Sequence, residues 1–304
     1  MTVAVFAAPY SPPIPELVWR PMRHTFTAWD GQVWDLSDPA GGVLLTDAGI
    51  RGLDDAPVAD FVSEAAGVDG QQHLGFRALA REPFWPVLVW SDQSSRAWVE
   101  RDAAWWRALL PGRVGTWTVQ TPWGSSRHLR VRRRPDGGHV FGIDPVVRGW
   151  EVYGIELIAD DPFWAADPVR ITAGEVEPVD FIDPAGAPPF HITGGRGLSG
   201  LTIDNPGDIA AWPVWEAVGP HPDLTVGIGG AFIECPVLEE GQQLVIDTSP
   251  WVRTALVDGV DVTASLGQAE FARVPAGGSQ PLTTSSTGAG SVSCTLTPRW
   301  WRAW

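Results

Sequence analysis

Several sets of residues in this 304-residue chain have the types and spacing to suggest chemistry. Gly195-Arg-Gly197-Leu-Ser-Gly200 matches the GxGxxG spacing of a dinucleotide-binding loop. That chemistry needs a helix to open after the glycines, so that its N-terminus can hold a pyrophosphate. Leu201-Thr-Ile-Asp-Asn-Pro206 follows instead and reads as a strand and a turn, which leaves a plain glycine loop. Asp160 with Asp161, and Glu239 with Glu240, come nearest to a glycosidase pair. Adjacent residues on a strand point to opposite faces, whereas acid and base must converge on one bond, so these read as turn residues. His24, His73, His128, His139, His191 and His221 are scattered, and none stands at metal-ligand spacing with another histidine or a cysteine. No serine occupies a GxSxG elbow. Trp212, Trp215 and Trp251 have faces that could stack on pyranose rings, although packing in cores and interfaces is the commoner use of tryptophan. No catalytic residue, cofactor or metal is expected.

Composition bounds the scaffold that would position such residues. The apolar fraction of 44% and charged fraction of 19% are those of a folded soluble protein, and the length suits two domains. Gly 34 and Pro 28 favour many turns and short strands. The net charge is −15, with no lysine, and residues 163–304 carry 6 arginines against 16 acidic residues. Such acidity does not suit nucleic acid as the main partner, because phosphate neutralisation needs clustered cations. No apolar run is long enough to cross a bilayer, and Met1-Thr-Val-Ala-Val-Phe lacks the basic-then-apolar pattern of a leader. Cys235 and Cys294 are therefore expected as free thiols, with one bridge inside the second half as the alternative.

The elements divide at Ile155-Glu-Leu-Ile-Ala-Asp-Asp-Pro-Phe-Trp-Ala-Ala-Asp-Pro168. An apolar strand stops at an acidic pair, and two Asp-Pro steps bracket Phe163 and Trp164. A residue before proline leaves the helical region, so each step is a joint, and the buried aromatic pair makes it a packed seam. Residues 1–25 form a proline-rich arm, 26–165 a first domain and 166–304 a second. In the first, Asp30-Gly31 turns a hairpin between Trp29 and Trp34. Val58 to Ala66 fits helix and strand equally. Ser94 or Ser95 caps a helix striped by Trp98, Val99, Trp105, Trp106, Leu109 and Leu110 and ended by Pro111-Gly112.

A long hairpin follows, tipped by Pro122-Trp123-Gly124. Trp117, Val119, Leu129 and Val131 share its apolar face, and His128, Arg130, Arg132 and Arg134 share a cationic one. A solvated face is the commoner use of such a strand, and the sharper expectation is that this face meets an acidic surface on a neighbouring subunit. Beyond the seam, short strands recur at Phe190–Thr193, Leu201–Asn205, Pro213–Val218, Phe232–Glu234, Leu244–Asp247, Thr254–Val257, Phe271–Val274 and Val292–Thr297. That rhythm is the signature of a β-sandwich.

The order of these features resembles the distal tail proteins of long, non-contractile-tailed bacteriophages, also called minor tail proteins or siphovirus tail components. The residues that carry it are the Trp/Gly-rich first hairpin, Gly49-Ile-Arg-Gly52-Leu, Val68-Asp-Gly70, the helix, the long hairpin and Ala159-Asp-Asp-Pro-Phe-Trp164. Ile203-Asp-Asn-Pro-Gly-Asp208, Val245-Ile-Asp-Thr248, Val257-Asp-Gly259, Phe271 and Val274-Pro-Ala-Gly-Gly278 continue it through about residue 300. The resemblance implies a mainly β fold, with a tail-tube-like β-sandwich carrying one helix and then a galectin-like β-sandwich. It further implies a non-enzymatic virion protein at the tail tip, assembled in the host cytoplasm as a hexameric ring. Its partners would be the tail tube protein, the tape measure protein and tip or baseplate proteins, with DNA passing through the channel without specific binding and no insertion into membranes. His128, Arg130, Arg132, Arg134, Trp123, Phe163 and Trp164 are the candidate interface residues. A carbohydrate-binding module using Trp212, Trp215 and Trp251 is the alternative reading.

Overall fold

The structure is a computed structural model that describes residues 20–46, 49–173 and 198–304. The expected strand at Phe190–Thr193, His191, Gly195, Gly197 and most of the proline-rich arm lie outside the described residues. The protein is mainly β. Its first half runs β1 (Arg23–Thr27), β2 (Val33–Asp35), β3 (Val43–Leu45), β4 (Val58–Ser63), β5 (Gln72–Ala78), β6 (Phe84–Trp90), α1 (Ser95–Ala108), β7 (Val114–Gln120), β8 (Ser126–Arg133), α2 (Pro145–Arg148) and β9 (Trp150–Ile158). The second continues β10 (Trp164–Ala165), β11 (Val169–Ala173), β12 (Thr202–Asp204), β13 (Pro213–Val218), β14 (Thr225–Ile228), β15 (Ala231–Glu234), β16 (Gln243–Asp247), β17 (Thr254–Val257), β18 (Val260–Asp261), β19 (Ser279–Ser285), β20 (Ser291–Leu296) and β21 (Arg299–Trp300).

The alternation read in the long hairpin is what the sheet uses. Trp117, Val119, Leu129 and Val131 are buried, while Thr116, Thr118, Arg130 and Arg132 face the other way. β7 and β8 lie in a sheet ordered β2-β1-β7-β8-β9-β6-β3, with β10 added to β8 and β21 to β10. α1 starts where its sequence says, the Ser94 side chain accepting from the Ala97 backbone N–H at 3.1 Å. It buries Trp98, Trp105 and Ala108, a narrower stripe than expected, since Val99 and Leu110 stay exposed. α2 is a single proline-started turn that the sequence reading omits. The core between sheet and helix is a run of edge-to-face aromatics: Phe26 on Trp85 at 5.3 Å, Trp85 on Trp117 at 5.2 Å, and Trp117 on Trp164 at 5.0 Å.

Val58 to Ser63 settles as strand. It pairs with β5 in a two-stranded ribbon of its own, with Gly67 and Gly70 at positive φ in its connection. A second cluster of buried residues, among them Ile203, Trp215, Leu244, Ile246, Leu282 and Cys294, is built from two sheets ordered β11-β20-β13-β16-β17-β18 and β12-β19-β14-β15. Asp258 and Gly259 both take positive φ in the expected turn between β17 and β18. Phe271–Val274 is no strand; only Val274 bridges, to Ala211. Both thiols are unbridged, and burial pushes Cys235 and Cys294 up to about 12.

Candidate functional site

The cationic face exists, but its members are not equivalent. Arg132 holds Asp160 through two bonds of 2.9 Å, and Arg134 reaches Glu82 at 3.1 Å, so each finds a carboxylate in its own chain. The Asp160 carboxyl sits below its usual range because Arg132 donates to it. Arg127 lies over the Trp300 ring at 4.3 Å, and Arg133 over Trp106 at 5.1 Å. Arg130 is exposed and has no ion-pair partner among the described residues. Trp123, at the hairpin tip, is 89% exposed.

His128 is half-buried against β10, and burial holds its pKa down, with Asp167 pulling the other way. His24, stacked on Trp117 at 5.8 Å, is lowered below 6.5 by burial as well. A histidine lowered in the fold takes its proton first in the unfolded chain. Stability is therefore level above pH 6.5 and falls as pH drops through that value toward the folded pKa. Denaturant titrations at pH 7.5 and 5.5 should show that fall. The double variant His24→Phe with His128→Phe should flatten it.

The seam is where the structure adds most. Trp164 is fully buried, its indole N–H donating to the Gly52 carbonyl at 3.2 Å, and it pairs across strands with Trp300. Phe163 meets Trp301 edge-on at 5.0 Å, and Asp161 binds Arg299. Residues 299–304 thus form a strap: Ala303 and Trp300 pack into the first core, while the Trp301 backbone N–H donates to the Asp208 carboxylate at 2.9 Å. A Cβ at Gly207 would collide with the Arg299 backbone, so glycine is required where the strap crosses.

Beneath the strap lies Arg81, 1% exposed. It donates to the carbonyls of Gly52 at 2.9 Å, Pro162 at 2.8 Å and Trp301 at 2.6 Å, and to that of Asp54. Burial brings its pKa down to about 10 against the pull of Asp55 and Asp54, which leaves it charged near neutrality. Nothing in the spacing of Leu79-Ala-Arg-Glu-Pro83 announces this clamp, because its acceptors are backbone atoms from distant segments.

Of the glycan candidates, Trp215 is 2% exposed and sits in the second core, out of a sugar's reach. Trp212 is half-buried, and Trp251 is exposed with Arg299 5.6 Å from its ring. Two surfaces that sequence reasoning missed are apolar and open. One is the stretch of Val140, Phe141 and Ile143 that leads into α2, with Val147 on α2 itself, and the other is the β4–β5 ribbon, with Phe61, Leu74 and Phe76 exposed. Among the described residues no helix is long and apolar enough to cross a membrane.

No family model matches the chain. Two curated proteins align with 62% of it: minor tail protein Gp27 of Mycobacterium phage L5, 28% identical over 202 residues, and Gp27 of Mycobacterium phage D29, 27% identical over 203. The chain is similar in sequence to these mycobacteriophage minor tail proteins over the aligned part. The aligned part spans 59% of the length of those relatives. The chain is also similar in fold to the SPP1 Dit (gp 19.1) protein, a hub of the adsorption apparatus in phages infecting Gram-positive bacteria. The TM-score is 0.61 at 14% identity, covering 92% of this chain and 99% of that one. A chain of the phage P2 baseplate in its activated conformation with Ca gives 0.54 at 12% identity, covering 92% and 98%. At such identities the likeness is one of fold, and the resemblance read from the motif order is borne out at that level.

Proposed function

We propose that the protein is a structural component of a phage tail, a hub at the distal end of the tube that joins it to tip or baseplate proteins. Its relationship to curated minor tail proteins is the observation that carries this reading. The Dit-like fold over 92% of the chain supports it. On this reading, residues 26–165 form the ring-building domain and 166–304 the outward domain, with the strap locking the two. Six copies close a head-to-tail ring around the channel that DNA leaves through, and no catalysis is involved. A ring of this kind needs two different complementary faces per subunit. The cationic hairpin face with His128, Arg130, Arg132 and Arg134 borders the neighbouring subunit, Phe163 and Trp164 keep the subunit rigid, and the Val140 to Val147 stretch receives a tube or tip protein.

Light scattering and negative-stain imaging of the purified protein should show a ring of about six times the chain's mass, since closed rings are the stable outcome of head-to-tail contacts. Added salt should weaken it, because exposed charge pairs are screened. Arg130→Ser should weaken it more than Arg132→Ser does, since Arg132 already has its carboxylate at home. A protein that is monomeric at every concentration tested overturns the ring.

A further inference from the structure

Two exposed features of this chain fit each other chemically although they lie apart on it. The first is the tip of the β7–β8 hairpin. Trp123 is held out at 89% exposure by a tight turn, in which the Thr121 hydroxyl meets that of Ser125 at 2.7 Å and Gly124 takes a positive φ. Behind it Arg130, also exposed, has no carboxylate among the described residues. A rigid ribbon ending in an indole and backed by a free cation is a ready interface anchor, since tryptophan and arginine dominate binding hot spots.

The second is a shallow groove of about 370 Å³ between the β4–β5 ribbon and the strap. Its floor and walls are Ala56, Val58, Phe76 and Trp301, and Asp55 and Asp60 stand on it as well. An isolated two-stranded ribbon is only marginally stable in water, and this one exposes Val58 at 44% and Phe76 at 54% on its groove face. Such a surface needs a cover. Its charge says which: residues 51–79 carry five acidic residues against two arginines, so a cationic partner with an apolar tip is complementary. The strongest concentration of cations in this acidic chain is the hairpin, with five arginines between Arg127 and Arg134.

Resting on the ring reading above, we propose that the Trp123 tip of one copy seats in the groove of the next, its indole against Phe76 and Trp301 and the cationic ribbon behind it facing the acidic β4–β5 ribbon. β10 and β21 lie between tip and groove on one subunit, so each copy can give one and receive the other at once. The contact is heterologous, which is the kind that closes into rings. The indole N–H, a donor with no acceptor role, has the Asp60 carboxylate at the groove as an acceptor, since Asp55 is held by Arg302.

The test mixes two variants of the full chain, each altered at an exposed position: Trp123→Gln, with a dead tip and a live groove, and Phe76→Asp, with the reverse. Each alone should be monomeric by light scattering where wild type assembles, with association weakened roughly thirtyfold or more. Mixed in equal amounts they should form a dimer that grows no further, because one live tip meets one live groove. Asp60→Arg, which sets like charge in the groove against the cationic hairpin, should behave as the Phe76 variant does and guards against misfolding of that one. Hydrogen exchange on assembled wild type should protect both residues 121–125 and 72–78. Either single variant assembling as wild type does, or a mixture that stays monomeric, overturns the tip-in-groove contact while leaving the ring. A groove already protected in monomeric Trp123→Gln shows a segment of the same chain covering it, and overturns the contact too. Wild type that never assembles overturns the ring reading and this contact with it.

Discussion

Replacing Arg81 by methionine should lower the stability of the folded chain by roughly 3–5 kcal/mol, seen as a shift of the denaturant midpoint. The stem of the side chain is preserved in methionine, so packing changes little. What goes is a planar fork of donors that satisfies carbonyls from residues 52, 54, 162 and 301 together. Each buried acceptor left unpaired costs about 1–3 kcal/mol, and relief from burying the guanidinium offsets part of the sum. Arg81→Lys keeps the charge but offers a compact ammonium on a shorter reach, so it should recover about half the loss. Arg302→Ala, which removes an exposed pair with Asp55, should cost far less and serves as the control for charge alone. Protease sensitivity within residues 160–166 and at the strap should rise in Arg81→Met and not in Arg302→Ala. An Arg81→Met protein as stable as wild type would mean that water satisfies those carbonyls and that the clamp is incidental.

What the sequence made legible is what local rules encode. Ser94 before an apolar stripe, Asp258-Gly259 between two β-branched runs, and the alternation from Trp117 to Val131 each depend on neighbours within a few residues, and each element formed where expected. Val58 to Ala66 fits helix and strand equally by local pattern, and its partner, Gln72–Ala78, decides it through pairing across a glycine-rich turn. The strands at Thr225–Ile228 and Ser279–Ser285 pair with each other across more than fifty positions, and no local pattern distinguishes them from turns. The candidate site divides the same way. Alternation placed Arg130 and Arg132 on one face, but not that Asp160 answers one of them and nothing described answers the other. The aromatic pair at 163 and 164 marked a packed seam, whereas the strap that closes it begins at Arg299 and is bound through a backbone-reading arginine.

The seam also yields the last expectation. Trp164→Ala should cost about 3–5 kcal/mol, the range for deleting a large aromatic from a core that cannot collapse around the gap. Trp164 is fully buried, meets Trp117 edge-to-face at 5.0 Å and donates to Gly52, so its loss leaves a cavity, a broken aromatic run and an unmade bond. Phe163 is half-buried against Trp301 and Arg299, and Phe163→Ala should cost clearly less. The consequence is directional. Trp164 belongs to the core that holds Trp85, Trp105 and Trp117, while Trp215, Ile246 and Cys294 pack in the other. The double variant Phe163→Ala with Trp164→Ala should therefore destabilise the first core as well as free the joint. Fluorescence and calorimetry should resolve an early transition of the first core and a later one of the second, where wild type melts later or as one unit. Trp164→Phe, which keeps most of the ring contact but not the bond to Gly52, should restore more than half of the loss. If the double variant melts with the wild-type midpoint and its joint is cut no faster by protease, Trp164 is not what fastens the strap to the first core.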